Sequence, residues 1–200
     1  MKVIFLDNDG VICLSNNWGS RFKKQEKWGG MKLSMRGSEI PLEYRFDDFD
    51  QKAIKVLNEI LEKTGAEIVV SSDWRLYATV EELGDYYESQ GIIKRPYATT
   101  EIMNYMEWSE EGFIAEDFPW SRTDSSEQER HFEIMRWLGH NPSVTDWVVV
   151  DDLHMGIHVD ASSYGPYERS WGLSNFVWTP RNNEGIKQSG VKEKILKFLK

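Results

Sequence analysis

Val3-Ile4-Phe5-Leu6-Asp7-Asn8-Asp9-Gly10-Val11 is the stretch that decides the fold. The run from Lys2 to Leu6 reads as a short buried strand. It passes directly into two acids spaced i and i+2, then a glycine, so the carboxylates stand where strand becomes loop. In an open α/β sheet that edge is where ligands sit. An unpaired carboxylate pair is costly unless a cation or a proton holds it. The stretch therefore points to a divalent-metal site and to an aspartate placed as a nucleophile.

Outward from it, helix and strand patterns alternate. Asp47 or Asp50 can cap a helix whose apolar stripe is Ala53, Ile54, Leu57, Ile60 and Leu61, with Gly65 as its stop. Ala66 to Ser71 reads as a buried strand. Thr79 and Glu82 form a capping box for a helix reaching Gln90. A weaker strand is expected near Ile92 to Tyr97. Ser125 with Gln128, or Ser126 with Glu129, opens a helix through Phe132, Met135 and Leu138, stopped near Gly139. Val144 to Val150 is a strand ending in Asp151-Asp152, and Asn175 to Thr179 is a last strand. Ser189 begins a final helix with Val191, Ile195, Phe198 and Leu199 inward. This alternation implies right-handed βαβ crossovers and an α/β fold: a doubly wound, Rossmann-like, mostly parallel sheet flanked by helices. Two segments fall outside the pattern, Leu14 to Phe46 and Thr99 to Asp124. Each is too long for a simple connection, and each is expected to be a cap or flap inserted in a single domain spanning the 200 residues.

In a parallel sheet the C-terminal strand ends share one edge. That edge would gather Asp7 and Asp9 from the first strand, Ser71, Ser72 and Asp73 from the second, and Asp151 and Asp152 from the fourth. The set resembles the haloacid dehalogenase-like (HAD) phosphohydrolase superfamily over most of the chain. Its first motif, an apolar strand running into D-x-D-G-V/T, matches Val3 to Val11. Its second, an apolar strand ending in Ser or Thr, matches Ile68-Val69-Val70-Ser71. Its fourth, an apolar strand ending in paired acids, matches Trp147 to Asp152. Its third is a single Lys or Arg near the start of the helix before the fourth strand. Arg130 is the first choice there, with Arg122 and Arg136 as rivals. More narrowly, Ser71-Ser72-Asp73-Trp74-Arg75, the helix from Arg130 to Leu138 and Val148 to Asp152 look like the small HAD domains of nucleic-acid repair proteins and polynucleotide phosphatases.

The resemblance implies an Mg²⁺-dependent phosphomonoesterase working through an aspartyl-phosphate. Asp7 would attack phosphorus, splitting one hard displacement into two easier ones. Asp9 would be the general acid and then the base that activates water. The metal ligands would be Asp7, the backbone carbonyl of Asp9, and Asp151 or Asp152. Ser71, Arg130, Asn8 and Gly10 would hold the phosphate, and preorganised donors of this kind contribute about 3–4 kcal/mol each. Ser72 and Arg75 are candidates for substrate contact, although Arg75 could instead pair with Asp73. The implied substrate is a nucleotide or nucleic-acid end phosphate. The alternatives are a sugar or other small-metabolite phosphate, transfer to an acceptor other than water, a noncatalytic binding module of HAD fold, and an interaction domain docking through its acidic 99–124 segment.

The bulk properties bound these readings. A formal charge of −9 argues against broad nucleic-acid binding. From Ser15 to Phe46, however, Arg21, Lys23, Lys24, Lys27, Lys32, Arg36 and Arg45 outnumber Glu26, Glu39 and Glu43. That segment could attract a phosphate-bearing substrate. No run is long and apolar enough to span a membrane, and the N-terminus lacks the pattern of a signal peptide. The lone Cys13 cannot form an internal disulfide and reads as a small packed residue. A cytoplasmic protein is expected, with neither a membrane nor an obligate protein partner. Asp-x-Asp-Gly also occurs in calcium loops, but Val11, Ile12 and Cys13 supply none of the further acids these need. His154 and His158 have a spacing that could hold a metal on a helix, without the Glu of the zinc-protease pattern. Trp18, Trp28, Trp108, Trp120 and Trp171 could stack bases, or could pack the core and cap.

Overall fold

The computed structural model describes residues 1–28, 39–102, 125–161, 165–168 and 172–200. The central sheet holds β1 (Lys2–Leu6), β2 (Glu67–Val70), β3 (Ala98–Thr99), β4 (Asp146–Asp151) and β7 (Phe176–Trp178) in the order β3-β2-β1-β4-β7. Every adjacent pair is parallel. β1 lies at the centre, with Leu6 opposite both Val70 and Val150. The chain therefore leaves β1, β2 and β4 on the same edge.

Successive side chains of a strand point to opposite faces. Ile4, Leu6, Ile68, Val70, Val148 and Val150 face one core, with the buried stripes of α3 (Gln51–Thr64), α4 (Val80–Gln90) and α6 (Val191–Phe198). Val3, Phe5, Val69 and Val149 face the other, against Ile134 and Trp137 of α5 (Ser125–His140). Phe5 meets Trp137 edge to face at 5.3 Å. Both faces of the sheet are thus covered, as a parallel sheet requires.

Local signals fix most boundaries. The Asp50 carboxylate accepts from the Lys52 and Ala53 amides and starts α3, and Gly65 ends it at φ 66°. The Thr79–Glu82 capping box is complete. Two expectations are corrected. The third strand is Ala98–Thr99 rather than Ile92 to Tyr97: Pro96 has no N–H, and pairing starts with the Tyr97 amide donating to the Ile68 carbonyl. The last helix is capped by Gly190 rather than Ser189. Along α5, Ile134 and Trp137 are buried in the second core with Leu138 packed against them, while Met135 is exposed. The antiparallel pair β5 (His158–Ala161) and β6 (Gly165–Glu168) has no counterpart in the sequence reading. His154 and His158 share no helix: His154 packs edge-on to Trp178, and β5 opens at His158.

Before the sheet core resumes, α1 (Ser20–Lys27) and α2 (Leu42–Arg45) lie within the segment expected to be a cap. Arg45 is buried there, donating to the Ile40 and Tyr77 carbonyls and pairing with Glu82. Most of the second expected insertion, with Arg122, Trp108 and Trp120, lies outside the described residues, as do Lys32, Arg36 and Trp171.

Candidate active site

The C-terminal ends of β1 and β4 bring Asp7, Asp151 and Asp152 together, each offering a carboxylate oxygen within 4.8 Å of the others. Asp7 and Asp151 are buried, and Asp152 is half-buried. Gly10, at φ 70°, lies against Asp152; a Cβ there would fall 2.2 Å from Asp152 Oδ2. Only glycine lets the loop after β1 fold over that carboxylate without displacing it.

Arg130, near the start of α5, reaches into the cluster. Its Nη1 donates to Asp151 Oδ2 at 3.0 Å and lies 3.5 Å from Asp7 Oδ1, while Nη2 donates to Asp73 Oδ1 at 3.0 Å. Of its rivals, Arg136 instead pairs with Glu101 at 3.0 Å. Burial alone would weaken Arg130's hold on its proton, but Asp7 and Asp151 reverse that and raise it above the ordinary arginine value.

One guanidinium does not balance the carboxylates. Burial raises the Asp7 carboxyl above its usual range, opposed by Arg130 and by a hydrogen bond from Ser72. Burial, then the Asp7 charge, raises Asp151 well above that range. The same causes push Asp152 up to about 6. A hard divalent cation satisfies such a set, because its ligands are all oxygen and its charge cancels the mutual repulsion.

Asp9 does not join that cluster. Its carboxylate accepts a hydrogen bond from Trp74 Nε1 at 2.8 Å, so only its backbone carbonyl remains for a metal. Trp74 is 4 % exposed and is held between Phe46 and Phe49, with ring centroids at 4.5 and 5.2 Å. Burial, then the nearby Asp7 charge, raises the Asp9 carboxyl, while Trp74 and the Cys13 thiol oppose this by hydrogen bonding. A carboxyl that keeps its proton more readily than usual, outside the metal cluster, suits acid and base duty. Cys13 itself is buried, and burial pushes its thiol up, as expected of a packed residue.

Ser71 ends β2 fully buried, and among the described residues its hydroxyl has no hydrogen-bond partner. An orphaned hydroxyl beside a carboxylate cluster is costly unless a ligand completes it. The Asn8 side chain points away from the site into the core, where Oδ1 accepts from the Tyr87 hydroxyl at 2.5 Å; its backbone N–H serves Asp7 instead. Among the described residues the Asn8 Nδ2 has no hydrogen-bond partner. Arg75 is turned inward: it donates to the Ser71 carbonyl at 2.7 Å and pairs with buried Glu133 at 2.5 Å, with Asp73 at 3.7 Å. It braces the second strand end against α5. Trp74, Tyr87 and Glu133 were given no such roles from sequence, since their partners lie on other elements, and of Asp73 only the pairing with Arg75 was foreseen, not that with Arg130. The sequence signals for Trp74 were its position just after the second strand end and its place in the Ser71-to-Arg75 motif.

A family model described as the HAD domain in Swiss Army Knife RNA repair proteins matches residues 3–173. No curated protein and no solved structure matches the chain.

Proposed function

The chain belongs to the family of HAD domains in Swiss Army Knife RNA repair proteins, and from that premise we propose that it is a divalent-metal phosphomonoesterase acting on nucleic-acid end phosphates. The HAD family supports a phosphatase-type hydrolase in general terms. The observation that carries the finer reading is the gathering of Asp7, Asp151 and Asp152 around one point, with the unpartnered Ser71 hydroxyl at the adjacent strand end. Nucleic acid as the substrate class rests on the family description.

Asp7, Asp151 and Asp152, with the Asp9 carbonyl, would hold the cation, for which Mg²⁺ is the fitting choice. When bound, it supplies positive charge between the carboxylates and the phosphate. Asp7 attacks phosphorus; the P–O ester bond breaks, and the departing alkoxide takes the Asp9 proton. Water then attacks the phosphorus of the aspartyl-phosphate. Asp9 accepts a proton from it, and the bond to Asp7 breaks, releasing phosphate. Ser71 and Arg130 donate to the phosphoryl oxygens throughout, while Trp74 holds the Asp9 carboxylate in place.

Hydrolysis of p-nitrophenyl phosphate with Mg²⁺ and with EDTA tests the reaction class. Activity is expected with the metal and is expected to drop by at least about 10³-fold in Asp7→Asn and Asp9→Asn. Wild-type rates in either variant would refute the assigned roles.

A further inference from the structure

The chain carries a net charge of −9, yet α1 bears Arg21, Lys23, Lys24 and Lys27 against the single acid Glu26. Lys24 is spent in anchoring the helix, donating to the Phe46 carbonyl at 2.7 Å and the Asp48 carboxylate at 2.9 Å. The Arg21 amide donates to Asp47 at 2.7 Å and fixes the N-terminal end. Lys23 and Lys27 are exposed. Interleaved with these cations are apolar rings that a folded chain would ordinarily bury: Trp18 and Phe22 are each 47 % exposed, and Trp28 is 40 % exposed. The Arg21 guanidinium lies over the Phe22 ring at 5.1 Å, and Trp28 is braced by Tyr44 at 5.7 Å.

This helix adjoins the reaction centre on one particular side. Trp18 Nε1 donates to the Cys13 carbonyl at 3.2 Å, and the same carbonyl accepts from the Gly10 amide at 2.9 Å. The Cys13 thiol in turn lies against Asp9. Trp18 is therefore one carbonyl removed from the Asp9-Gly10 turn, with its polar edge used and its ring facing solvent. In an in-line displacement by Asp7 the leaving oxygen departs toward Asp9. The remainder of the substrate must then extend on the Asp9 side, where Trp18 and α1 stand.

We infer that Trp18 and α1 form the grip for a single-stranded nucleic-acid end, an inference that rests on the phosphatase reading above. The Trp18 ring stacks on the base next to the scissile phosphate, Phe22 extends the stacking surface, and Lys23 and Lys27 meet the following backbone phosphates. Base stacking on aromatic rings tolerates any sequence, and lysine contacts to phosphate make binding salt-dependent. Small-metabolite phosphates would use neither feature.

The test measures kcat/KM with Mg²⁺ on 3′- and 5′-phosphorylated single strands of one and eight nucleotides, as RNA and as DNA, with p-nitrophenyl phosphate as reference. The wild type is expected to favour the octamer over the mononucleotide by about tenfold or more. Lys23→Glu with Lys27→Glu should erase that advantage and flatten its salt dependence. Trp18→Ala should lower the octamer-to-reference ratio about tenfold, and Trp18→Phe should keep most of it. No length preference in the wild type, unchanged ratios in the variants, or an equal fall on both substrates overturns the grip. Unchanged ratios with active p-nitrophenyl phosphate hydrolysis would do so while leaving the phosphatase reading intact. If no ester is hydrolysed, the phosphatase reading falls, and fluorescence anisotropy of a labelled octamer still decides on α1. Weaker binding in the lysine double variant supports the grip, and equal binding overturns it.

Discussion

Asp152 shows how a single carboxyl can be kept at a cost to the fold. Its ordinary value is 3.8 and burial beside Asp7 pushes it to about 6, so the native state holds this proton more tightly than the unfolded chain does. Its contribution to stability is whole below pH 3.8 and is lost as pH rises through about 6. Asp152→Asn removes that loss. In EDTA at pH 8 the variant should be more stable than wild type by about 1–2 kcal/mol, discounted for the residue's partial exposure. The gain should vanish near pH 4. Urea unfolding at the two pH values measures it, and a gain independent of pH would show that the repulsion is not its source. At this scale Asp7, Ser71, Asp151 and Asp152 were readable in the sequence, because each sits at the end of an apolar run and strand ends share an edge. The Trp74–Asp9 and Tyr87–Asn8 hydrogen bonds were not, since each joins residues from different elements whose relative placement depends on packing.

Among the elements, α3 and α4 were legible to within a residue or two, since capping side chains and terminal glycines act locally. α5 runs Ser125–His140, as its cap and stop signals indicated, but the burial of Arg130, His131 and Glu133 beside Ile134 and Trp137 was not readable. An apolar stripe cannot reveal such burial. β5 and β6 are four residues each and lack a simple apolar alternation, so no periodic signal marked them. Two predictions belong to α5. Burial lowers His131 to about 4 from 6.5; the unfolded chain therefore binds its proton first, and stability is lost as pH falls from 6.5 toward 4, by about 3 kcal/mol in all. His131→Gln should remove that part of the acid sensitivity in denaturant titrations. The second concerns the Arg75–Glu133 pair, whose side chains are 7 % and 5 % exposed. Glu133→Leu or Arg75→Met alone leaves a buried charge and should cost about 3–5 kcal/mol, whereas the double variant should recover most of the loss. Additive losses in that cycle would mean the two charges do not support one another.

Across the whole molecule, the sheet confines its electrostatic imbalance to one edge. Apolar strands fill both faces, while Asp7, Asp9, Asp151 and Asp152 share the far ends of β1 and β4 with one buried guanidinium between them. Such an arrangement is destabilising in isolation, and under the proposed function a cation entering it would link metal binding to folding. Mg²⁺ should raise the midpoint of thermal unfolding, with stabilisation growing as RT ln(1 + [Mg²⁺]/Kd) and reaching about 2.7 kcal/mol at a hundredfold excess over Kd. EDTA should reverse the shift. Asp7→Asn and Asp152→Asn should start from a higher metal-free midpoint and gain less from Mg²⁺, which separates a lost ligand from a damaged fold. Calorimetry across a Mg²⁺ series on the three proteins decides the matter: equal gains in all of them would mean that the cation binds elsewhere, and that the carboxylate edge serves some purpose other than holding it.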